Sequence, residues 1–494
     1  MTALYATMLI PLFTTLLLAA IPHCRAAGWI NILATVATTV ASVLLAIKVF
    51  HTGPLLSDGK FFYVDAFNVY LLVLTAFVAT TTAIFSRPYM SYELRQGRVN
   101  NRRMRLYHAM YQGFVFTMLL ALATNNLGIL WVALEGATLA TVLLVSLYRT
   151  PESVEAAWKY FILCGVGIAQ ALFGTVLLYF TAASVLSSAD EGLLWTSLYV
   201  ISNQLDPTVM SIAFVFIIVG YGTKIGLVPL HAWLPDAHSE GPTPMSAVLS
   251  GLLLNVALYA VVRTKMLVDG ALQNASSTPQ LAGYLMMAFG LLSFLVAGLF
   301  LHRQRDIKRL FSYSSIEHMG LMTFAFGLGG PLATFAALLH MTLHSLVKSA
   351  IFVTVGHASH IAGTQLIDKI RGLIRTQPGV GWGLLLGTAA IAGFPPFGLF
   401  VSEFLLLIAT MQKMPWLTLA LLSGLVIAFA GLFRTIHPMV YGSQPEGQLP
   451  VKANMLPVYL HLLLALWLGL AMPTVLAQWF DQATQLIAGQ GVLG

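Results

Sequence analysis

Long apolar runs, each about the length of a membrane-spanning helix, follow one another along almost the whole chain. A helix that crosses a bilayer needs about 20 apolar residues. Fourteen stretches meet this requirement: residues 3–21, 28–50, 63–86, 107–124, 127–148, 156–183, 208–230, 243–264, 280–301, 309–328, 331–358, 380–411, 415–436 and 454–475. The pattern predicts an all-α, polytopic membrane protein with about 14 transmembrane helices, arranged as a single membrane domain over residues 1–494.

The composition favours the same class of protein. Of 494 residues, 25 are Lys or Arg and 18 are Asp or Glu, so 9% are charged, while 58% are hydrophobic. A soluble protein carries roughly 25% charged residues. These values exclude a soluble enzyme, a disordered protein and a nucleic-acid-binding domain, and they place the chain in a lipid bilayer. Because Cys24 and Cys164 form no C-x-x-C motif, we expect no iron–sulfur cluster and no cysteine zinc site.

The basic residues are distributed unevenly between alternate loops. With loops numbered by the helices they join, the odd loops (1–2, 3–4 and so on) hold 17 of the 25 Lys and Arg residues. The even loops hold five: Lys48, Lys60, Arg263, Lys265 and Lys413. Three lie inside predicted helices: Lys159, Lys224 and Lys348. Since positively charged loops stay in the cytoplasm, we expect cytoplasmic odd loops, a plasma-membrane location and both termini on the opposite face.

Two charged residues stand deep inside apolar runs, where a charge costs at least about 2.5–3.5 kcal/mol and usually marks a functional site. Glu135 lies in NNLGILWVALEGATLATVLLVSLY, far from any cation in the sequence. Lys224 lies in AFVFIIVGYGTKIGLVPLHAWLPDAH, with His231 and His238 soon after it. We interpret Glu135, Lys224 and His231 as proton-relay groups and His238 as an accessory. A carboxylate that serves only packing and a lysine that reaches the membrane surface are the alternatives.

A second group of ionisable residues follows one helix face. His340, His344 and Lys348 are spaced four residues apart, so they point the same way from a helix. A row of titratable groups of this kind is typical of a proton path. Two histidines at this spacing also bind metals, but no H-E-x-x-H motif and no third ligand is evident. We therefore predict proton transfer and no metal site, with Glu317 and His318 of the preceding helix as accessory groups.

Prolines break two of the apolar stretches beside an ionisable residue. Lys224 precedes one break, and the Pro395–Pro396 break precedes Glu403. Proline removes a backbone donor, and broken helices occur at membrane depth where the backbone lines a cavity or an ion site. Interrupted helices at corresponding positions of two halves are typical of inverted-repeat transporters. We therefore predict two inverted repeats, residues 107–264 (helices 4–8) and 280–436 (helices 9–13), and we assign Glu403 to the relay.

Several of these stretches resemble a known superfamily. GYGTKIGLVPLHAWLPDAHSEGPTPMSAVLSGLLL, DIKRLFSYSSIEHMG, HMTLHSLVKSAIF and GFPPFGLFVSEF are similar to segments of the antiporter-like subunits of respiratory complex I and of Mrp-type Na⁺/H⁺ antiporters. The resemblance runs in order over residues 65–435 or so. Within the superfamily, the chain most resembles the hydrogenase-4 component F branch, through the stretches 124–148 and 153–169 and the motif SSIEHMG.

The resemblance implies a role for each matching position. Glu135 and Lys224 match the Glu/Lys pair of the family, Lys348 matches its central lysine, with the two histidines of the same helix beside it, and Glu403 matches its terminal ionisable group. One position departs from the pattern. Many members carry a lysine where this chain has Asn255. An asparagine side chain has no titratable proton. At Asn255, therefore, either a water molecule bridges the relay or another residue carries the charge.

The resemblance implies a proton-translocating, antiporter-like membrane subunit of a membrane-bound hydrogenase, formate hydrogenlyase-type or complex I-like assembly. No nucleotide loop or haem motif occurs in the sequence, so we expect no cofactor and no catalytic residue. The energy source is then expected on partners, namely other membrane subunits and a peripheral cytoplasmic hydrogenase or oxidoreductase module. One alternative is an Mrp-like Na⁺/H⁺ antiporter module, or the membrane subunit of an inorganic-carbon uptake complex with a carbonic-anhydrase-like partner. Another is a non-transporting scaffold, which only Asn255 supports.

Overall fold

The computed structural model describes residues 1–21, 24–186, 188–273, 280–443 and 453–493. The first helices are α1 (Thr2–Ala20), α2 (Cys24–Thr52), α3 (Ala66–Arg95), α4 (Asn101–Ala123), α5 (Leu127–Val145), α6 (Pro151–Ala183) and α7 (Trp195–Val200). They are followed by α8 (Pro207–Ile225), α9 (Trp233–Glu240), α10 (Thr243–Val248), α11 (Leu254–Leu272), α12 (Leu281–Leu301), α13 (Ile307–Leu328) and α14 (Pro331–Ala362). The last are α15 (Leu373–Thr376), α16 (Pro378–Ile391), α17 (Gly398–Lys413), α18 (Pro415–Tyr441), α19 (Leu456–Leu470) and α20 (Thr474–Ala488).

Three smaller features complete this helical fold. A π-helical segment, Leu249–Leu253, joins α10 to α11 within one span. A short antiparallel hairpin of β1 (Leu55–Leu56) and β2 (Tyr63–Val64) lies between α2 and α3. Short 3₁₀ turns include Ser146–Tyr148 after α5 and Ile367–Lys369 after α14.

Side-chain caps fix the beginnings of several helices. The capping oxygens accept hydrogen bonds from first-turn N–H groups of α3, α4, α5, α8 and α13, and they belong to Asp65, Asn100, Asn126, Asp206 and Asp306. First-turn N–H groups have no partner within the helix, so a cap of this kind stabilises by about 1 kcal/mol. The long helices α6 and α14 begin with proline, which has no N–H to satisfy, and in α6 the Thr150 hydroxyl also accepts from the N–H of Ser153.

Eleven helices of the described residues are long and apolar enough to cross a membrane, or twelve if the bent pair α19–α20 forms one span. The predicted all-α, polytopic membrane fold is therefore confirmed, whereas the predicted count of fourteen spans is not. The helix α13 falls short because serines, Glu317 and His318 make it too polar. The predicted span 380–411 is divided between α16 and α17 by the segment that contains Pro395 and Pro396.

Two spans lie at the centre of the helix bundle. The most apolar parts of Thr243–Leu272 and Pro331–Ala362 are completely buried, whereas outer helices expose large apolar side chains such as Phe13 and Trp416. Close packing around the centre depends on glycine at some positions. A Cβ atom added to Gly290 of α12 would lie 2.6 Å from the carbonyl oxygen of Gly320 in α13. Helices that carry the ionisable residues are thus enclosed by protein.

After α8 the helix is interrupted, and hydrogen bonds from outside the helix satisfy polar groups near the interruption. Gly226 ends the helix with a φ of +82°, a left-handed conformation that residues with a Cβ rarely adopt. The N–H of Val228 donates to Ser293 Oγ at 2.9 Å, and the Trp233 indole donates to the Thr223 carbonyl at 2.8 Å. These bonds replace the helical partners that the break removes, as the membrane interior requires.

Two basic residues that the sequence assigns to loops are buried inside helices. Arg263 lies inside α11, which continues beyond the predicted end of its span, and is 3% exposed. Lys308 lies in the first turn of α13 and is also buried, with its Nζ donating to the Gly241 carbonyl at 2.8 Å. Lys452 lies outside the described residues. Both buried side chains have polar partners on distant segments, and a sequence pattern gives no sign of those partners.

Candidate functional site

Glu135 and Lys224 lie side by side where α5 meets α8. Lys224 Nζ is 3.3 Å from Glu135 Oε2 and also donates to the hydroxyl of Thr138, one turn further along α5. The lysine side chain is 1% exposed, whereas that of Glu135 is 21% exposed. An adjacent carboxylate stabilises a buried ammonium. The pair is therefore open on the carboxylate side, where a charge outside the chain acts on Glu135 first.

Lys348 lies on the enclosed helix α14 and is fully buried. Its Nζ donates to the Phe311 carbonyl oxygen of α13 at 2.9 Å and lies 5.7 Å from the centre of the Phe311 ring. Within the described part of the chain, Lys348 forms no ion pair with a carboxylate. Lys348 is thus a buried amine that is held by a backbone carbonyl of the preceding helix.

A chain of hydrogen bonds runs from α13 through α14 to α17. His318 Nδ1 is 2.9 Å from His340 Nε2, and His340 Nδ1 is 2.9 Å from Ser402 Oγ. The Ser402 hydroxyl donates its single hydrogen to the Leu399 carbonyl at 2.8 Å, so it accepts from His340. His340 then carries its hydrogen on Nδ1, and its Nε2 accepts from His318. All donors in this series of hydrogen bonds therefore point the same way, from His318 towards Ser402, which is next to Glu403 in the sequence.

Among the described residues, three side chains that could bind a metal ion lie close together, and two of them belong to this chain of hydrogen bonds. Ligand atoms of His318, His340 and Glu403 all lie within 4.8 Å of one another. The third ligand that the sequence did not reveal is thus supplied by other helices, and His344 is not part of the group. Both ring nitrogens of His340 are already engaged in the hydrogen-bonded chain. A metal would have to break that chain, so the arrangement favours proton transfer.

Asn255 connects the π-helical segment to α14. Its Nδ2 donates to Ser345 Oγ at 2.8 Å, and both side chains reach the carbonyl oxygen of Gly251. This carbonyl belongs to the π-helical segment, where the helical bonding pattern is altered. Ser345 stands one turn before Lys348. The position at which the sequence resemblance implies a lysine is therefore occupied by a neutral amide bonded to α14, the helix of Lys348.

The other candidate histidines have fewer polar contacts. His231, half-buried after the break of α8, meets the ring of Tyr313 edge to face at 6.1 Å. His238 is buried and stacks on Phe352 at 4.9 Å, one turn after Lys348 on α14. The ring of His344 is 5.8 Å from that of His318. Neither nitrogen of His238 or His344 has a hydrogen-bond partner among the described residues.

The structure contains two buried ion pairs that the sequence did not indicate. Glu93 is 1% exposed and binds His360 at 2.7 Å and Arg98 at 3.2 Å. Asp65 binds Arg263 through both carboxylate oxygens, each at 2.7 Å. The predicted span 63–86 ended before Glu93, which lies inside α3. Arg263 was assigned to a loop although it lies within the last two residues of its predicted span, 243–264. For Glu93, the available signal was that apolar residues continue on one face of α3 beyond the predicted end.

Replacing Ser402 with alanine removes the acceptor of His340 Nδ1–H and leaves that group unpaired in a buried position. One hydrogen bond contributes about 1 kcal/mol, so we expect proton flux through the reconstituted assembly to fall about fivefold. Flux is measured by quenching of a pH-sensitive dye in proteoliposomes. Ser423→Ala is the control, because Ser423 makes the same kind of bond within α18, at 2.7 Å, on an exposed face. Equal flux in both variants would remove Ser402 from the path.

Comparison with known proteins assigns the chain to a family. Residues 124–428 match the family described as "NADH:quinone oxidoreductase/Mrp antiporter, TM". A "Hydrogenase-4 component F homolog" of Methylacidiphilum infernorum is 47% identical over 482 residues, which are 98% of this chain and 99% of the relative. "NADH-quinone oxidoreductase subunit N" of Desulforudis audaxviator is 30% identical over 378 residues, covering 76% and 72% of the two chains.

A solved structure has the same fold. A chain of the membrane-bound sulfane sulfur reductase, an archaeal respiratory membrane complex, superimposes with a TM-score of 0.88 at 24% identity, covering 99% of this chain and 98% of that one. The fold and these relatives define a proton-translocating, antiporter-like membrane subunit that associates with other membrane subunits. The chain belongs to the NADH:quinone oxidoreductase/Mrp antiporter transmembrane family, which confirms the resemblance drawn from the sequence.

Proposed function

We propose that the chain moves protons as the membrane subunit of a membrane-bound hydrogenase, formate hydrogenlyase-type or complex I-like assembly. The relay consists of Glu135, Lys224, Lys348 and Glu403 together with the histidines and hydroxyls between them. The observation that carries this proposal is the Glu135–Lys224 pair, a buried lysine held by a carboxylate that remains accessible from outside the chain. The near full-length relative whose name is hydrogenase-4 component F homolog supports the type of assembly.

The first step of the mechanism is electrostatic. While Glu135 is ionised, Lys224 keeps its proton, because the carboxylate offsets the cost of burying the ammonium. A charge change in a neighbouring subunit that draws Glu135 away removes this stabilisation, and Lys224 releases its proton inward. Moving one charge against 100 mV requires about 2.3 kcal/mol. This energy comes from the partner module, and Glu135 is the group through which it reaches the chain.

The second step passes through the centre of the bundle. Ser250 of the π-helical segment binds Ser315 at 2.7 Å, and Ser315 shares the Phe311 carbonyl oxygen with Lys348. In our proposal these two hydroxyls, which donate and accept, bring a proton as far as the neighbourhood of the central amine, where the shared carbonyl oxygen accepts from both Ser315 and Lys348. From Lys348 the hydrogen-bonded histidines lead to Glu403. The groups interact strongly, so their protonation states belong to the network as a whole.

Two inverted repeats, residues 107–264 and 280–436, organise this relay in our proposal. An isolated antiparallel bridge joins Asn126, the cap of α5, to Leu194, and another joins Asp306, the cap of α13, to Leu366. Each bridge thus ties the capped second helix of a repeat to the segment after its long third helix, α6 or α14. The fourth helix of each repeat is broken. In this arrangement Glu317 and Glu403 lie on the second and fourth helices of the second repeat, as Glu135 and Lys224 do in the first, although Lys224 precedes its break and Glu403 follows its break.

The orientation and the partners follow from the charge distribution and the relatives. We propose a plasma-membrane location with the odd loops in the cytoplasm and both termini on the opposite face, because basic residues are concentrated in the odd loops. A peripheral cytoplasmic hydrogenase or oxidoreductase module supplies the energy. Mass spectrometry of the assembly purified through a tag on this chain tests the partners. Hydrogenase subunits are expected, and their absence from the intact assembly would contradict this proposal.

An Mrp-like Na⁺/H⁺ exchange module is the second candidate. A subunit of the Na⁺/H⁺ antiporter of Alkalihalophilus pseudofirmus is 25% identical over 472 residues, covering 92% of this chain and 90% of the relative. The membrane subunit of an inorganic-carbon uptake complex is a further variant of this transport function, with a carbonic-anhydrase-like protein as partner. Dye-detected proton movement that requires Na⁺ but no redox substrate would favour the exchange function.

Replacing Lys224 with alanine removes the first proton carrier while leaving Glu135 in place. We expect proton flux driven by the redox partner to fall at least tenfold, because the step between Glu135 and the central amine loses its acceptor. Flux is measured with a pH-sensitive dye in proteoliposomes that contain the purified assembly. Lys159→Ala is the control, because Lys159 pairs with Glu155 and Asp236 on a half-exposed surface. Undiminished flux in Lys224→Ala would contradict the proposed relay.

A further inference from the structure

Four arginines surround a cavity of about 630 Å³ on the face of the bundle that carries the odd loops. They are Arg102, Arg103, Arg105 and Arg149. The first three lie in the first turns of α4, and Arg149 follows the 3₁₀ turn at the end of α5. No acidic side chain lines the cavity, and none of the four arginines forms an ion pair with a carboxylate among the residues that the structure describes. The cavity therefore collects positive charge without an internal counterion.

The rest of the wall of this cavity is mostly apolar. Ala19 near the end of α1, Leu106, Ala109 and Met110 of α4, and the single polar residue Asn100 complete the lining. Arginine binds phosphate oxygens with two parallel N–H groups, and this geometry is specific for phosphate and carboxylate. A basic pocket between helices that also offers apolar surface has the chemistry of a phospholipid site.

An apolar groove of about 450 Å³ adjoins the arginine cavity, and Arg149 lines both. The groove runs between α5 and α6 and is lined by residues such as Leu139, Leu143, Trp158 and Phe161. All four of these apolar side chains are exposed at the surface of the chain. Two adjoining cavities, one cationic and one apolar, match a ligand with an anionic head and a hydrocarbon chain.

We propose that this composite site binds an anionic phospholipid, with the phosphate among the arginines and an acyl chain in the groove. Anionic lipids attract basic residues near the membrane surface by about 1 kcal/mol for each Lys or Arg. The occupant also touches α5 close to the relay, since Leu139 stands one turn after Glu135. Through this contact with α5, the bound lipid regulates proton transfer along the relay. This part of the inference rests on the proposed function.

The test compares lipid retention by the full chain and its variants. Protein is exchanged into phosphatidylcholine nanodiscs that contain tetraoleoyl cardiolipin, and retained lipid is counted by native mass spectrometry after detergent extraction. We expect Arg102→Gln/Arg105→Gln/Arg149→Gln to retain at least fivefold less cardiolipin than the wild type. Arg303→Gln/Arg305→Gln/Arg375→Gln removes the same charge from other odd loops and is expected to retain wild-type amounts. Equal loss in both triple variants would mean nonspecific attraction and would overturn the proposal.

A second variant separates a lipid from free phosphate. Val154→Trp fills the groove from a partly exposed position that lines it. We expect it to weaken long-chain cardiolipin at least threefold and to leave short-chain phosphatidylglycerol unchanged. If the occupant were instead an acidic segment of a neighbouring subunit, that segment would cross-link to the arginines in the full assembly and exclude lipid. This result would overturn the proposal. Lipid retention without any proton flux would leave this site standing and contradict only the proposed function.

Discussion

Replacing Lys348 with methionine is expected to abolish proton flux through the assembly, with a loss of at least a hundredfold. Methionine has a similar volume and no titratable group, so it preserves the packing of α14 while removing the central proton carrier. Lys348 donates to the Phe311 carbonyl and is fully buried. A fully buried position gives bulk water no access to bypass the missing amine. Flux is measured with a pH-sensitive dye in proteoliposomes that contain the purified complex.

Two further variants decide whether such a loss comes from proton transfer. Lys369→Met removes the same side chain from an exposed 3₁₀ turn and should keep wild-type flux. Thermal unfolding should show Lys348→Met to be at least as stable as the wild type, because removing an uncompensated buried amine costs little. Full flux in Lys348→Met would contradict the relay and favour the scaffold interpretation, in which buried charges affect stability alone.

Replacing Arg263 with methionine is expected to destabilise the chain by about 3–5 kcal/mol, the usual cost of removing one partner of a buried ion pair. Arg263 binds both oxygens of Asp65 and the hydroxyl of Tyr259, and its guanidinium lies 4.4 Å from the centre of the Trp195 ring. The variant leaves the Asp65 carboxylate buried without a cation. Thermal unfolding of the purified chain in detergent, followed by size-exclusion fluorescence, measures the loss.

A double variant distinguishes the unpaired charge from lost packing. Asp65→Asn/Arg263→Met removes both charges, and asparagine still caps α3 because its side-chain oxygen accepts the same first-turn N–H bonds. We expect the double variant to recover most of the stability that Arg263→Met loses. If both variants were equally unstable, aromatic packing around the guanidinium, rather than the ion pair, would explain the effect.

The fold class and the family could be predicted from the sequence because both depend on strong local patterns. Apolar runs of membrane length and the motifs around Lys224 and Glu403 are visible without any tertiary contact. The number of spans was harder to predict, because α13 is polar and the predicted span 380–411 is divided into the two short helices α16 and α17. Each of these departures occurs in a helix that carries or adjoins ionisable groups. Function there outweighs the preference of the bilayer for apolar residues.

The contacts of the site could be predicted only in part. The spacing of His340 and Lys348 on one face follows from helix geometry alone. That His340 links His318 to Ser402 depends on how three helices pack, and no periodicity encodes such a contact. The burial of Glu93 was missed for a different reason. The predicted span ended at residue 86 and left it outside the membrane, whereas a histidine 267 positions away stabilises it in a buried position.

The complete enclosure of α14 has a consequence for the biogenesis of the protein. A segment with two histidines and a lysine near its middle is a poor substrate for insertion into lipid by itself, since one central lysine costs about 2.5–3.5 kcal/mol at the translocon. The preceding helix α13 supplies the Phe311 carbonyl oxygen to which Lys348 donates. We therefore expect the two helices to leave the translocon together as a hairpin, so that synthesis of the proton path and its shielding from lipid are a single event.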